Sequence, residues 1–266
     1  MTTTLNLNDN YNSIKDKLIG YIQDRCGSNS VLIGLSGGID SSLTSRLAID
    51  ALGADKTKVL IMTNSRYAPE NLDRARTYAR NLGLEKREVD SESVRQGVVK
   101  ALDINDTNVV PSASIDARLC DMILKDIAAD EGRIYLGTIN GTERLTGWYP
   151  KGTLVGDYCP LGDLLKTQIK GLAQHTGLGY LLETVSHDAS RICSGCGELE
   201  EFKGITYETL DKVLLAYETL PREKVRVACT ETGIPSDVCD RILRRIDTVA
   251  HKQDKFPGYC KINERD

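Results

Sequence analysis

The feature that most constrains this chain is a glycine- and serine-rich loop between an apolar run and a helical pattern. Residues 31–35 form the apolar run, which predicts a buried parallel strand, and residues 41–52 are predicted to be a helix. Between them lies the segment GLSGGIDSS, residues 34–42. Adjacent glycines let the backbone turn sharply and expose its N–H groups, and the helix start adds the positive end of a dipole. The loop therefore predicts an anion site.

Asp40 is the acidic residue of this loop. A carboxylate beside a phosphate is unfavourable unless a cation lies between them, and Mg²⁺ prefers oxygen ligands of this kind. The lysine of a Walker A loop is absent, so the loop differs from that of common kinases and GTPases. A local role is the alternative, because Asp also caps helices that follow a glycine turn. We predict that Asp40 helps to bind Mg²⁺ at the phosphate site.

The rest of the chain indicates an α/β fold with a doubly wound parallel sheet and a helical C-terminal lobe. Further strands are predicted at 58–62, 86–89 and 133–136, and they alternate with helices at 70–82 and 117–129. After Pro160 the pattern is helical at 164–175, 206–218, 223–231 and 236–251. Segments 103–114 and 187–203 are predicted loops. We expect one domain, with the sheet core at about 28–160 and the lobe and flap at about 161–266.

Charge and hydropathy exclude some classes of function. The net charge of -4 argues against a nucleic-acid-binding protein, which usually presents a basic face. No apolar run approaches the roughly 18 residues of a membrane helix. Residues 1–12 are polar and lack the apolar stretch of a signal peptide. We expect a cytoplasmic protein whose eight cysteines do not form a disulfide framework.

The loop resembles the pyrophosphate loop of the N-type ATP pyrophosphatases, whose motif is Ser-Gly-Gly-x-Asp-Ser. Residues 36–41 match that motif in full. The resemblance implies that the chain cleaves ATP to AMP and pyrophosphate in order to activate a small-molecule acceptor. The residues of the loop that would bind ATP are Gly34, Ser36, Gly37, Gly38, Asp40 and Ser41.

Over nearly its whole length the chain looks most like an ammonia-dependent NAD synthase. The segment LGTINGTERLTG, residues 136–147, resembles that family's strand-to-helix turn, which implies that Thr138 contacts ATP and Glu143 binds Mg²⁺. Lys166 resembles the lysine that reaches the ATP phosphates, and Ser186 is similar to a residue at the start of a mobile flap. By the same resemblance, the dinucleotide acceptor would be contacted by Arg118, Lys151, Asp157, His251 and Lys252.

The resemblance also implies the order of the chemistry. The acceptor's carboxylate attacks the α-phosphorus of ATP, and pyrophosphate leaves into the glycine loop. Ammonia then attacks the acyl adenylate and gives an amide and AMP. No side-chain nucleophile is needed, because positioning and electrostatic stabilisation suffice. The family further implies a homodimer whose acceptor pocket is completed across the two-fold interface.

Three cysteines depart from that family's pattern. Cys120 stands where the family has a second arginine, and Cys193 and Cys196 form a CxxC in the predicted flap. Three thiolates at one site can hold a four-iron four-sulfur cluster with one open iron. A persulfide on the flap, a zinc site with His187, and plain packing thiols are the alternatives.

These observations leave three hypotheses. The first is amidation of a carboxylate, most simply conversion of deamido-NAD to NAD with ammonia. The second is sulfur transfer to a small molecule from a sulfide donor, using Cys120, Cys193 and Cys196. The third is a nucleotide-binding sensor without activity, against which the pair Asp40 and Glu143 argues.

Overall fold

The computed structural model describes residues 7, 9–105, 109–151, 153, 156–182, 202, 204–255 and 260–262. Its strands are β1 (Val31–Gly34), β2 (Thr57–Thr63), β3 (Glu85–Asp90) and β4 (Ile134–Leu136). Its α-helices are α1 (Tyr11–Cys26), α2 (Ile39–Leu52), α3 (Pro69–Asn81), α4 (Glu92–Ala101), α5 (Val109–Asp130), α6 (Gly141–Thr146), α7 (Lys166–His175), α8 (Tyr207–Thr219), α9 (Arg222–Glu231) and α10 (Ser236–Val249).

The four strands form one parallel sheet in the order β3-β2-β1-β4. Helices cover both of its faces. Val31 and Ile33 of β1 pack with buried residues of α1, α2, α3 and α7, whereas Leu32 between them packs with Leu124 of α5 on the opposite face. Because both faces are buried, the central strands read as continuous apolar runs. The predicted doubly wound parallel sheet is confirmed.

The helical lobe has a hydrophobic cluster of its own. It is formed mainly by α8, α9 and α10, and it also includes Leu145 of α6 and Leu165, the residue before α7. In α10, Cys239, Ile242, Leu243 and Ile246 lie at helical spacing, and all four are buried. This amphipathic pattern predicts a helix from sequence, since one face alone meets a core.

Around residue 100, one prediction is wrong and one helix is missing from the predictions. The segment 103–114 was predicted to be a loop, but α5 already begins at Val109. Pro111 suggests a loop, yet it lies in the first turn of α5, where a missing N–H removes no helical hydrogen bond. Helix α4 was not predicted. Its side chain Arg95 is buried and pairs with Asp116 of α5 at 2.9 Å, a tertiary contact that sequence spacing does not reveal.

The described helices offer no membrane span, since none combines sufficient length with sufficient apolar character.

Candidate active site

The site lies at the carboxyl ends of β1 and β4, where the strand order reverses. β1 leads through α2 to β2 on one side, whereas β4 pairs with the other side of β1. The loops that follow two such strands diverge and leave a crevice, which is the usual ligand site of an open parallel sheet. Residues after β1 and after β4 therefore meet here. The amide Nδ2 of Asn140 donates to Oδ1 of Asp40 at 3.0 Å, although 100 positions separate them.

The glycine loop is held in shape by its own serines. The backbone N–H of Ser36 donates to Oγ of Ser41 at 3.2 Å, and that hydroxyl donates to the carbonyl of Gly38 at 3.2 Å. Gly37 has a φ of 81°, and a Cβ there would collide with the carbonyl oxygen of Asn71. A side chain is thus excluded at Gly37 by both conformation and space.

Asp40, in the first turn of α2, pairs with Lys166 at the start of α7. The distance from Nζ of Lys166 to Oδ2 of Asp40 is 2.7 Å, and the lysine side chain is only 5% exposed. A buried ammonium requires a counter-charge, and Asp40 supplies it. Asp40, at 19%, is more exposed. The predicted ATP-contacting pair Asp40 and Lys166 is therefore brought together, with one partner reachable from solvent.

Glu143 lies beside this pair through Asn140, which precedes α6. The N–H of Asn140 donates to Oε2 of Glu143 at 3.1 Å, and the N–H of Glu143 donates to Oδ1 of Asn140 at 2.9 Å. This is a capping box. One asparagine thus contacts both Asp40 and Glu143. Its role was not predicted, although an Asn followed three residues later by a Glu is a recognisable capping-box signal.

The donor set fits Mg²⁺. Two carboxylates, Asp40 and Glu143, share one neighbour and supply hard oxygen atoms. In the described part of the chain, no group of three or more His, Cys, Asp and Glu side chains is arranged to hold a metal ion. Mg²⁺ is commonly bound by one or two carboxylates, with waters and substrate phosphates completing its shell, so a two-carboxylate site suits it.

The residues predicted to contact the acceptor lie nearer the surface, and several also have structural partners. Exposed Arg118 donates from Nη2 to the carbonyl of Lys151 at 3.5 Å, so these two residues are neighbours. Asp157 accepts the N–H of Tyr135 at 2.8 Å and so satisfies the free edge of β4. Thr138 is half-buried just after that strand.

The predicted His-Lys pair lies in a 3-10 helix, Ala250–Lys255, that follows α10. Lys252 donates from Nζ to the carbonyl of Gly147 at 2.7 Å and to that of Tyr149 at 2.8 Å. It therefore caps the C-terminal end of α6, the helix that carries Glu143. His251 is exposed, with Nδ1 at 3.0 Å from the carbonyl oxygen of Thr248.

Cys120, the first of the three predicted cluster ligands, is half-exposed and lies on α5. Its side chain is partly buried against the apolar cluster between α5 and the sheet. Burial raises the pKa of its thiol to about 12. The remaining flap residues of the predictions, Ser186, Cys193 and Cys196, lie outside the described residues, as does His187.

Comparison with known proteins gives a consistent answer. A family model described as "NAD synthase" matches residues 10–256. An NH(3)-dependent NAD(+) synthetase of Pelodictyon phaeoclathratiforme is 31% identical over 262 residues, covering 96% of this chain and 91% of the relative. One from Pyrobaculum aerophilum is 33% identical over 239 residues, covering 87% and 85%.

This chain belongs to the NAD synthase family. Solved structures share the fold. An NH3-dependent NAD synthetase from Campylobacter jejuni in complex with the nitrate ion has a TM-score of 0.74 at 24% identity, covering 92% of this chain and 97% of that one. An NMN synthetase from Francisella tularensis has a TM-score of 0.74 at 21% identity, covering 94% and 98%.

Membership in the NAD synthase family makes the chain an enzyme that forms a C–N bond. The amide-forming hypothesis is favoured, and sulfur transfer is not. Nothing in the described residues supports an iron–sulfur cluster, and the six cysteines they include are free thiols.

Proposed function

We propose that this chain is an ammonia-dependent NAD synthetase, which uses ATP to convert the nicotinate carboxylate of deamido-NAD into the amide of NAD. The observation that carries the proposal is the cluster at the sheet switch point, in which Asp40 contacts both Lys166 and Asn140. The amides of the glycine loop and the start of α2 border the same crevice as this cluster. A phosphate bound there would lie close to both the proposed cation site and Lys166.

The residues would divide the work by charge. The loop and the start of α2 would receive the β- and γ-phosphates, with Ser36 and Ser41 as donors beside Gly34, Gly37 and Gly38. Lys166 would exchange part of its contact with Asp40 for a phosphate oxygen, since a lysine can bond several acceptors. Asp40 and Glu143 would hold Mg²⁺, which neutralises charge as pyrophosphate leaves. Thr138, after β4, would contact ATP where the two loops diverge.

The acceptor would bind on the side of the crevice bounded by Arg118 and Lys151. These residues are neighbours, and together they offer two positive charges to an anionic dinucleotide. Lys252 and His251 follow α10, and Lys252 contacts the end of α6, which supports a role for this pair in closing over the acceptor. Asp157 is the remaining residue predicted to contact the acceptor. It is adjacent to Tyr158, which forms a β-bridge with Leu136 of β4.

We also propose that the protein is a homodimer. Large apolar side chains are exposed on α4, directly after α4 and on α5, namely Val94, Leu102 and Met122, at 44%, 62% and 47%. Helix α5 also carries Arg118, so a two-fold contact there would place the acceptor side near the partner. An isologous interface of this kind buries the same patch on both copies.

The test is product analysis with purified protein, ATP, Mg²⁺ and ammonium. We expect NAD, AMP and pyrophosphate in equal amounts when deamido-NAD is the acceptor, and much slower turnover with nicotinate mononucleotide. ADP with orthophosphate would contradict the adenylation chemistry, and preference for the mononucleotide would replace the proposed acceptor. Light scattering of the same sample at micromolar concentration should give twice the mass of the chain, and a monomeric mass would reject the dimer.

A further inference from the structure

Asp211 is a fully buried carboxylate in α8 that the proposed chemistry does not use. No described lysine, arginine or histidine forms an ion pair with it, but it accepts three hydrogen bonds. The N–H and the hydroxyl of Thr167 both donate to its Oδ2 at 2.7 Å, and the hydroxyl of Thr142 donates to its Oδ1 at 2.9 Å. Three donors around one buried carboxyl are what compensates the loss of water there.

These bonds continue to the backbone of the catalytic lysine. The N–H of Lys166 donates to Oγ1 of Thr142 at 2.8 Å, which leaves the hydroxyl proton of Thr142 free to donate to Asp211. Asp211 therefore receives the first two amides of α7, that of Thr167 directly and that of Lys166 through one hydroxyl. The directions of these bonds follow from two rules: a backbone N–H can only donate, and a carboxylate can only accept.

Helix α7 provides only one cap contact from its own sequence, in which Oε1 of Gln168 accepts the N–H of Leu165 at 3.0 Å. Its N-cap residue is Leu165, which has no side-chain acceptor, and its first turn contains no acidic residue. Exposed amides at a helix start require partners and favour a negative charge. Asp211 supplies the acceptor and the negative charge from a different helix of the same chain, so it caps α7 from outside that helix.

The same contact fixes α6 against α7. Thr142 directly precedes Glu143, and the N–H of Gly141 donates to the carbonyl of Leu164 at 2.7 Å. A Cβ at Gly141 would lie only 3.0 Å from backbone atoms of Asp163 and Leu164. The starts of the two helices are therefore in close contact, and Glu143 and Lys166 keep a set separation.

We infer that Asp211 is a positioning residue: through Thr142 and Thr167 it fixes the start of α7 and thereby holds the ammonium of Lys166 on Asp40. This inference rests on the proposed function, in which Lys166 reaches the ATP phosphates. It gives the helical lobe a part in catalysis, because Asp211 belongs to α8 and its neighbour Leu210 lies in the lobe's hydrophobic cluster.

The test compares Thr142→Val and Asp211→Asn with a matched control, Thr57→Val. Thr57 is also buried, and its hydroxyl donates to the carbonyl of Gly53 at 2.9 Å, at the opposite end of β2 from the site. Both network variants should lower kcat by about 10- to 100-fold, since a displacement of about 1 Å at a catalytic group has effects of this size. The KM for deamido-NAD should change little. Thr57→Val should lower the melting temperature as Thr142→Val does, but keep kcat.

Two further variants separate positioning from general damage. Thr142→Ser keeps the hydroxyl and should recover most of kcat. The double variant of Thr142→Val with Asp211→Asn should lose no more than either single variant, because both break one connection. Wild-type kcat in folded Thr142→Val, or an equal loss of kcat in Thr57→Val, would overturn the inference. Thr142→Val decides the matter alone if Asp211→Asn does not fold.

Crystal structures of the variants test the role of Asp211 independently of the proposed function. In wild type and Thr57→Val, the distance from Lys166 Nζ to Asp40 Oδ2 should stay near 2.7 Å. In Thr142→Val and Asp211→Asn this contact should be broken. If the wild-type protein does not convert deamido-NAD, the proposed function fails, and the distance still decides the role of Asp211. An unchanged contact in both network variants would refute that role.

Discussion

The proposed phosphate end and the proposed acceptor end of the crevice are built in different ways. At the phosphate end, Asp40 contacts Lys166 at 2.7 Å and Asn140 at 3.0 Å, and the lysine is almost fully buried. At the acceptor end, Arg118 is exposed, and its bond to the carbonyl of Lys151 is 3.5 Å long. One end is thus preorganised by the protein alone, whereas the other is open and solvated.

Desolvation explains the difference. A buried lysine without a partner is costly, so the fold has to complete the contacts of Lys166 before any ligand binds. An exposed arginine keeps its hydration and needs no such partner. Substitutions at the phosphate end should therefore affect the chemical step, and those at the acceptor end should mainly affect binding of the acceptor.

Asp40→Asn should have the largest effect. It removes the carboxylate that faces Lys166 and one of the two proposed Mg²⁺ ligands, while Asn140 can still bond the new amide. We expect kcat to fall by at least about 10²- to 10³-fold, the usual result of losing one preorganised electrostatic group. Release of pyrophosphate from ATP in the presence of deamido-NAD and ammonium measures it.

The control for this change lies on the same helix. Asp50→Asn removes an equivalent charge, which pairs with Lys15 and Arg46 instead of Lys166. It should leave kcat close to the wild-type value. Comparable turnover in Asp40→Asn and wild type would show that the phosphate end has been assigned to the wrong residues.

Arg118→Ala should have an intermediate effect of a different kind. Loss of a charged hydrogen bond to a ligand costs about 1.5–3 kcal/mol, or roughly 10- to 100-fold in the KM for deamido-NAD. The KM for ATP and kcat should change much less. Steady-state kinetics with either substrate varied measure this, and Arg87→Ala on the edge strand β3 is the control. A fall in kcat without a rise in the KM for deamido-NAD would show that Arg118 acts in the chemical step and not in binding the acceptor.

Cys120→Ala should have the smallest effect on activity. Its thiol packs in the apolar cluster of α5, so we expect a loss of about 1 kcal/mol in stability with kcat unchanged. Cys26→Ala, on the other face of the sheet, should behave alike. Thermal unfolding measures the stability, amide synthesis measures kcat, and iron analysis measures the bound iron. Bound iron in the wild-type protein that disappears in Cys120→Ala would restore the cluster hypothesis.

Much of the fold follows from local sequence patterns. The apolar run at residues 31–35 predicted β1, and apolar side chains three and four positions apart predicted α10, because each pattern depends on a face that meets a core. Helix α4 was missed. Its stability depends on the pairing of Arg95 with Asp116, which are 21 positions apart. The start of α5 was missed because Pro111 suggests a loop wherever its position within a helix is unknown.

The sequence by itself determined the glycine loop, the acidic residue within it and the family, because these depend on residue types at fixed short spacing. The tertiary structure decided which side chains meet. It placed Asn140 against Asp40, packed Cys120 against an apolar cluster, and brought Asp211 of the lobe to the start of α7, the helix that begins with Lys166. Local spacing carries no information about the Asp40–Asn140 and Thr167–Asp211 contacts, since they join positions 100 and 44 residues apart through the packing of separate helices.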